Sequence, residues 1–372
     1  MPKSIRKIYL DHASSALKES ANPGALHELG VKEKQKLENA RKFVANILGA
    51  HIDEIIFTSG ATESNNLAIL GLPKGRIVTT NIEHASVLET CKGRGGTTFV
   101  GVEKNGIVDP KKIKKSLTKN TVLVSVMYAN NEIGTIQPIR EIAKEIRHFN
   151  KINNTKIYFH TDATQAANYL PIKVDKLGVD LMSFNGAKIY GPKGVGVLYV
   201  RRGTPVSKIL FGGDQERGLR PGTENVEGIV ALAEALKMTE QIKEREVECL
   251  TKLRDYFFTK LENLSRIHLD NKLVVNGELE NRLPNNINIT ISNIPSDLLV
   301  IELSAKGVMA SAKSACKAGD GKASHVIKAI NPNLGDTDGY LRFSLGRETT
   351  KKDIDYTIKA LSQILLKLKR WY

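Results

Sequence analysis

Residues 179–200, VDLMSFNGAKIYGPKGVGVLYV, contain two apolar runs that read as buried strands. VDLMSF (179–184) and GVGVLYV (194–200) are bounded by Asn, Gly and Pro, the pattern of strands covered on both faces of a sheet. Between them Lys188 stands among small residues, Asn185, Gly186 and Ala187. Placing a cation at the mouth of an apolar core is costly unless something there engages it. This stretch sets both the sheet and the position to search for chemistry.

Working outward, residues 54–200 alternate strand-like and helical segments, which predicts an α/β fold with a mostly parallel central sheet. The further strand candidates are EIIFT (54–58), GRIVTTN (75–81), TTFVGV (97–102), TVLVSVMYA (121–129) and KIYFHTD (156–162). Helical patterns at 63–72, 85–93, 109–119 and 139–151 fall between them. A long amphipathic helix over roughly 228–264, with Ile242, Val247, Leu250, Leu253, Phe257, Leu261 and Leu264 on one face, leads to a smaller α+β C-terminal domain. That domain should hold strands at 285–291 and 339–346 and helices at 296–307 and 351–372. Residues 15–240 would form the large domain, and 241–372 with 1–14 the small one; IYLDHASSA (8–16) would be extended between them.

The chain has 372 residues, 41% apolar and 26% charged, as expected of a globular protein with about two domains. No apolar run reaches the roughly 18 residues that span a bilayer, and the N-terminus lacks a secretory h-region. A cytoplasmic protein without a membrane role is expected. The net charge is +15, but the lysines are spread over helix faces, so no direct nucleic-acid binding is expected. Three cysteines without a CxxC spacing exclude a disulfide framework and a cysteine-based metal site. Cys249 falls at helical spacing from Leu253 and Tyr256 and reads as core; Cys91 reads as structural. Cys316 lies in ASAKSACKAGDGKASH, a small, Gly- and Lys-rich context that suits a loop, and Lys313 and Lys317 beside it favour a thiolate.

In an open parallel sheet, ligands bind beyond the carboxyl ends of the strands. SGATESNN follows the first strand, His84 the second, Asn130, Asn131 and Glu132 the fourth, Asp162 with Gln165 the fifth, and Lys188 the sixth. Taken singly, each has an ordinary explanation: Lys188 facing solvent, His84 opening a helix, Asp162 capping a helix after HTD. Together they suit pyridoxal phosphate (PLP) chemistry. A glycine turn entering a helix at Thr62 can hold a phosphate. A lysine in a small-residue, partly apolar pocket can form a Schiff base. Asp162 can keep a pyridinium nitrogen protonated, His84 can stack on the ring, and Asn131 and Gln165 can bond its oxygen.

The chain resembles the cysteine desulfurases of the nitrogen-fixation and iron–sulfur-assembly type, within the class V aminotransferase group. The matching motifs run almost end to end: NPGALHELG, IIFTSGATESNNLAI, NIEHASVLETC, NNEIGTIQPI, FHTDATQAA, GGDQERGLRPGTENV, SAKSAC and LRFSLGRETT, with residues 179–202. The resemblance implies a PLP-dependent transferase of fold type I that converts L-cysteine to L-alanine. It makes Lys188 the Schiff-base lysine, Asp162 the partner of the ring nitrogen, and His84 a stacking and proton-shuttling group. Ala61 and Thr62 would bind the phosphate, and Asn131 and Gln165 the ring oxygen. Thr223 would reach the phosphate in a neighbouring subunit, which implies a homodimer. Arg342 would clamp the substrate carboxylate. Cys316 would receive sulfur as a persulfide and pass it to an iron–sulfur scaffold or a tRNA-thiolation enzyme.

Where the family usually has Ser-x-His-Lys, this chain has Asn185-Gly186-Ala187-Lys188. Losing the histidine's bond to phosphate should cost about 1.5–3 kcal/mol, or roughly tenfold to a hundredfold in cofactor affinity. Asp214 in GGDQE and SSA at 14–16 are smaller departures. The alternatives are a selenocysteine lyase or other class V enzyme, and a non-catalytic dimeric scaffold for sulfur-transfer partners.

Overall fold

The strands at 181–185 and 196–200 are neighbours in a computed structural model that describes residues 8–268, 273–312, 324–333, 335 and 338–368. The chain opens with α1 (Glu28–Leu48), then β1 (Ile55–Thr58), α2 (Ala61–Leu70), β2 (Arg76–Thr80) and α3 (Ala85–Arg94). Next come β3 (Thr97–Val100), α4 (Pro110–Ser116), β4 (Thr121–Ser125), α5 (Ile139–Asn153) and β5 (Tyr158–Asp162). After α6 (Val174–Leu177), β6 (Leu181–Asn185) and β7 (Gly196–Val200) close the first half. The second half holds α7 (Val226–His268), β8 (Leu273–Val275), β9 (Asn286–Ile291), α8 (Ser296–Ala305), α9 (His325–Ile330), β10 (Gly339–Ser344) and α10 (Lys351–Leu368).

The central sheet runs β1-β7-β6-β5-β4-β2-β3. Strand β7 is antiparallel to both neighbours, and the other pairs are parallel. Side chains alternate between two cores, as a period of two requires. Ile56, Ile77, Leu123, Tyr158, Leu181 and Leu198 face α2 and α3. Phe57, Val78, Val124, Phe159, Met182 and Val197 pack on the other side with α1, α5 and α7. Every residue of β5 is buried, as in a sheet covered on both faces.

Helix α7 runs unbroken for 43 residues, about 64 Å at 1.5 Å per residue. Its first half buries Ile229, Leu232 and Leu236, and its second half Leu250, Leu253, Phe257, Leu261 and Leu264. One continuous helix therefore passes residue 240 and reaches the antiparallel sheet β10-β9-β8, where Phe257 packs on Phe343 with ring centroids 5.1 Å apart. Cys249, expected in the core, lies on the exposed side of α7. Its 3.6-residue spacing from Leu253 proves insufficient, because the buried stripe passes through Lys243, Glu246 and Leu250 instead. Cys91 is fully buried, and burial pushes its thiol up to about 12. Asp11 to Ser15 form a turn, not the extended segment expected, because the Ser14 and Ser15 N–H groups both donate to the Asp11 carbonyl.

Residues 212–224 are held against β1 by a buried ion pair. Both guanidinium arms of Arg41 reach Glu216 at 2.7 Å, and the Phe57 N–H donates to the same carboxylate at 2.8 Å. The fork geometry and satisfied acceptors make this a pair whose disruption would strand a buried charge. No described helix is long and apolar enough to cross a membrane.

Candidate active site

Alternation along β5 decides where Asp162 points. Tyr158 faces α2 and α3, so His160 and Asp162 do too. From α2, Asn65 Nδ2 donates to Asp162 Oδ2 at 2.8 Å, and the Thr164 N–H donates to Oδ1 at 2.9 Å. The carboxylate is 5% exposed. Next to it on the same face, His160 sits between Ser125 Oγ at 2.8 Å and Ser183 Oγ at 2.9 Å. Burial pushes His160 down to about 4, against the pull of Asp162, so its imidazole is neutral at ordinary pH. The helix expected after HTD is absent. Consecutive turns replace it, with the Ala166 and Ala167 N–H groups on the Ala163 carbonyl.

At the start of α2, Gly60 has φ +153°, a conformation L side chains rarely adopt. Gly196 of β7 lies directly against it, where a Cβ would sit 2.6 Å from the Gly60 Cα. The paired glycines let β7 pass beneath the helix start. The first N–H groups of a helix have no partner within it, and Ala61 and Thr62 occupy that positive end.

His84 does open α3, as its ordinary reading required. Its Nδ1 accepts the Ser86 N–H at 3.1 Å and meets Ser86 Oγ at 2.8 Å. These bonds assign Nδ1 as acceptor and leave Nε2 to carry the ring proton. Ser86 Oγ also receives Asn65 Nδ2 at 2.8 Å, so one amide ties His84 to Asp162. Immediately before His84, Glu83 is fully buried. It accepts from Thr80 Oγ1 at 2.6 Å and from the Met127 N–H at 3.0 Å. Burial pushes its carboxyl up to about 8, more than these bonds pull it down.

After β6, Gly186–Lys188 makes a single 3₁₀ turn. Gly186 is needed there because a Cβ would sit 2.6 Å from the Pro192 carbonyl oxygen as GPK folds back. Lys188 is exposed, which corrects the expectation that a small-residue, partly apolar pocket shelters it, although it lines the cavity described below. Among the described residues it has no hydrogen bond or ion pair. From β10, Arg342 Nη1 donates to the Asn131 carbonyl at 3.1 Å, while Nε is buried without a partner. Burial holds its guanidinium below the ordinary value, and Glu132 draws it back up.

Ala61, Thr62, His84, Asn131, Asp162, Gln165, Lys188 and Arg342 all line one cavity of about 470 Å³, within the range typical of small-molecule sites. Thr223 does not; it is exposed on the 212–224 segment. Cys316 lies outside the described residues. Asn65 and Ser86 are functional neighbours that sequence reasoning missed, although Asn65 lies one turn beyond Ala61 on α2. Asn65 Oδ1, Thr164 Oγ1, Asn185 Oδ1 and Arg342 Nε are buried polar atoms left without partners around the cavity. Such unfilled capacity is unusual in a finished core and fits a polar ligand. A helix start for a phosphate, a carboxylate for a ring nitrogen and a lysine at the mouth fit PLP. Among the described residues no cluster of His, Cys, Asp and Glu is suited to a metal.

The chain is similar to known proteins along most of its length. The family model described as aminotransferase class-V matches residues 4–357. A cysteine desulfurase IscS of Dictyoglomus turgidum is 42% identical, over 98% of this chain and 96% of its own. A solved NifS-like protein superposes with a TM-score of 0.84 at 35% identity, covering 94% of this chain and 92% of its own. A solved SspA in complex with cysteine gives 0.72 at 33% identity, over 87% and 90%.

Proposed function

Since the chain belongs to the class-V aminotransferase family, we propose that it is a PLP-dependent cysteine desulfurase that takes sulfur from L-cysteine. The observation that carries this reading is one cavity holding Lys188, Asp162, His84 and Arg342. PLP, when bound, supplies an electron sink that lowers the cost of removing a proton from the substrate's Cα. The Ala61 and Thr62 N–H groups and the Thr62 hydroxyl would receive its phosphate, with the Asn185 amide nearby. Asp162, fixed by Asn65 and the Thr164 N–H, would pair with the ring nitrogen. Gln165 and Asn131 suit the ring oxygen. Without a histidine at 187, this chain should hold the cofactor more weakly than a site with that bond.

Arg342 binds the substrate carboxylate. Its unpartnered Nε and the arm beyond the Asn131 contact are available for a two-pronged contact. Lys188, exposed and unpaired among the described residues, is the base at Cα, and His84 moves a proton at Nε2 while Ser86 keeps Nδ1 occupied. The thiolate of Cys316 then attacks the substrate sulfur. An S–S bond forms as the Cβ–S bond breaks, and Cβ takes a proton. L-cysteine and the Cys316 thiol thus become L-alanine and the Cys316 persulfide, with no external oxidant. A scaffold for iron–sulfur clusters or an enzyme of tRNA thiolation receives the sulfur. Thr223 completes the phosphate site of a second copy in a homodimer, a reading supported by its exposure on its own chain.

The test is alanine formation from L-cysteine by PLP-loaded protein, with the persulfide trapped by alkylation and located by mass spectrometry. Equal amounts of alanine and Cys316 persulfide in a single turnover are expected. Alanine production that survives Cys316→Ala would contradict the assigned route and favour another class V chemistry.

A further inference from the structure

The turn between β4 and α5 ties distant parts of the chain together. Asn130 Nδ2 donates to the Ile82 carbonyl at 2.9 Å, and its Oδ1 accepts the Glu132 and Ile133 N–H groups. The Glu132 carbonyl accepts from both Asn286 and Asn288 of β9, each at 3.0 Å. The Glu132 side chain is 2% exposed and accepts the Ser324 hydroxyl at 2.5 Å. One residue earlier, the Asn131 carbonyl holds Arg342. Asn131 and Arg342 line the cavity; Glu132 and Ser324 do not.

Ser324 is itself heavily committed. It is 4% exposed, its N–H donates to Tyr340 OH at 2.7 Å, and its Oγ caps α9 by accepting from Val326 at 3.1 Å and Ile327 at 3.4 Å. The next residue, His325, bonds the Glu83 carbonyl at 3.0 Å, just before His84. At 311, a two-way backbone bridge ties Ser311 to Arg342, at 2.7 and 3.2 Å. Cys316 lies between these two anchor points in sequence; the first ends on Arg342, which lines the cavity, and the second on Glu132, next to Asn131.

A cap alone needs no partner carboxylate, and burying Glu132 without a donor would be costly. We propose that Glu132 and Ser324 are positioning residues for sulfur transfer: their contact anchors residue 324, eight positions after Cys316 in sequence, to the turn whose Asn131 carbonyl holds Arg342. This rests on the desulfurase reading above. Neither residue touches the cavity, so the tie is expected to show in sulfur transfer more than in binding. Displacements on the order of 1 Å can slow a reaction by up to about a hundredfold.

The experiment compares the PLP-loaded wild type with Ser324→Ala and Ser324→Thr in single turnover with L-cysteine. Persulfide on Cys316 is timed by alkylation, and L-cysteine affinity is read from the cofactor's absorbance. Ser324→Ala should keep the affinity within about twofold while persulfide formation slows by roughly tenfold to a hundredfold. Ser324→Thr, which keeps the hydroxyl, should restore the rate. If Ser324→Ala does not fold, the double variant Ser324→Ala/Glu132→Gln replaces it, because the neutral amide removes the buried charge that the lost hydroxyl would strand. An unchanged persulfide rate, or affinity and rate falling together, would overturn the proposal. A wild type that forms no alanine would overturn the desulfurase reading as well, whereas an active wild type with an unaffected variant would overturn this inference alone.

Discussion

Asp162 and Lys188 close neighbouring strands of one sheet and line the same cavity, but their surroundings are opposite. The aspartate is buried and held by Asn65 and the Thr164 N–H; the lysine is exposed and unpaired among the described residues. One group is fixed by its own chain before any ligand arrives. The other stands on a turn shaped by Gly186 and is left available. The floor of the site is therefore part of the fold's stability, while the lysine adds no described contact to it and is left to the proposed chemistry. The two should respond differently to removal.

The largest effect should come from Lys188→Ala. Alanine formation should fall on the order of a thousandfold or more, while the unfolding free energy without cofactor stays within about 0.5 kcal/mol, as for an exposed position. Chemical denaturation of both proteins without PLP provides the check. Asp162→Ala should lose activity and also about 1–3 kcal/mol of stability, because the Asn65 amide and the Thr164 N–H would be left buried without an acceptor. A stability loss equal to that of Lys188→Ala would erase the contrast.

A smaller effect sharpens the lysine side of the comparison. Ala187→His should lower the PLP dissociation constant by roughly tenfold to a hundredfold, by adding a donor beside the helix start. Equilibrium dialysis of both proteins measures it directly, and equal affinities would show that Asn185 and the backbone already suffice.

A pH-dependent effect concerns Glu83, the buried carboxyl before His84. Its folded-state pKa is raised from 4.5 to about 8, chiefly by burial. Its contribution to stability is therefore complete below pH 4.5 and is lost as pH rises towards 8, where the ion must form in the core. Glu83→Gln cannot ionise. Its Tm relative to wild type should rise between pH 5 and pH 8, and a difference that stays flat would contradict the assigned burial effect.

Much of this arrangement was legible in the residues. The strands at 55–58, 76–80, 97–100, 121–125, 158–162, 181–185 and 196–200 were all anticipated, most of them because strands buried on both faces are apolar, and the half-exposed edge strand 97–100 from its β-branched and aromatic residues. The direction of β7 was not legible, since an antiparallel strand in the interior has the same composition. Helix α1 was not read: it is dense in Lys and Glu, and its stripe of Leu37, Val44 and Leu48 is thin. Strand β8, with three residues, and α9, with six, are too short for periodicity to register. Gathering His84, Asn131, Asp162, Lys188 and Arg342 around one cavity followed from the sheet-edge rule and the resemblance. Asn65 beneath Asp162 and Ser324 against Glu132 were invisible, because these contacts join positions 97 and 192 residues apart.

The central claim is that Lys188 stands ready for a cofactor held by the start of α2 and by Asp162. Titrating the purified protein with PLP while following visible absorbance tests it most directly. A saturable band that disappears in Lys188→Ala is the predicted result. The absence of a saturable band, or an identical band in the variant, would contradict it.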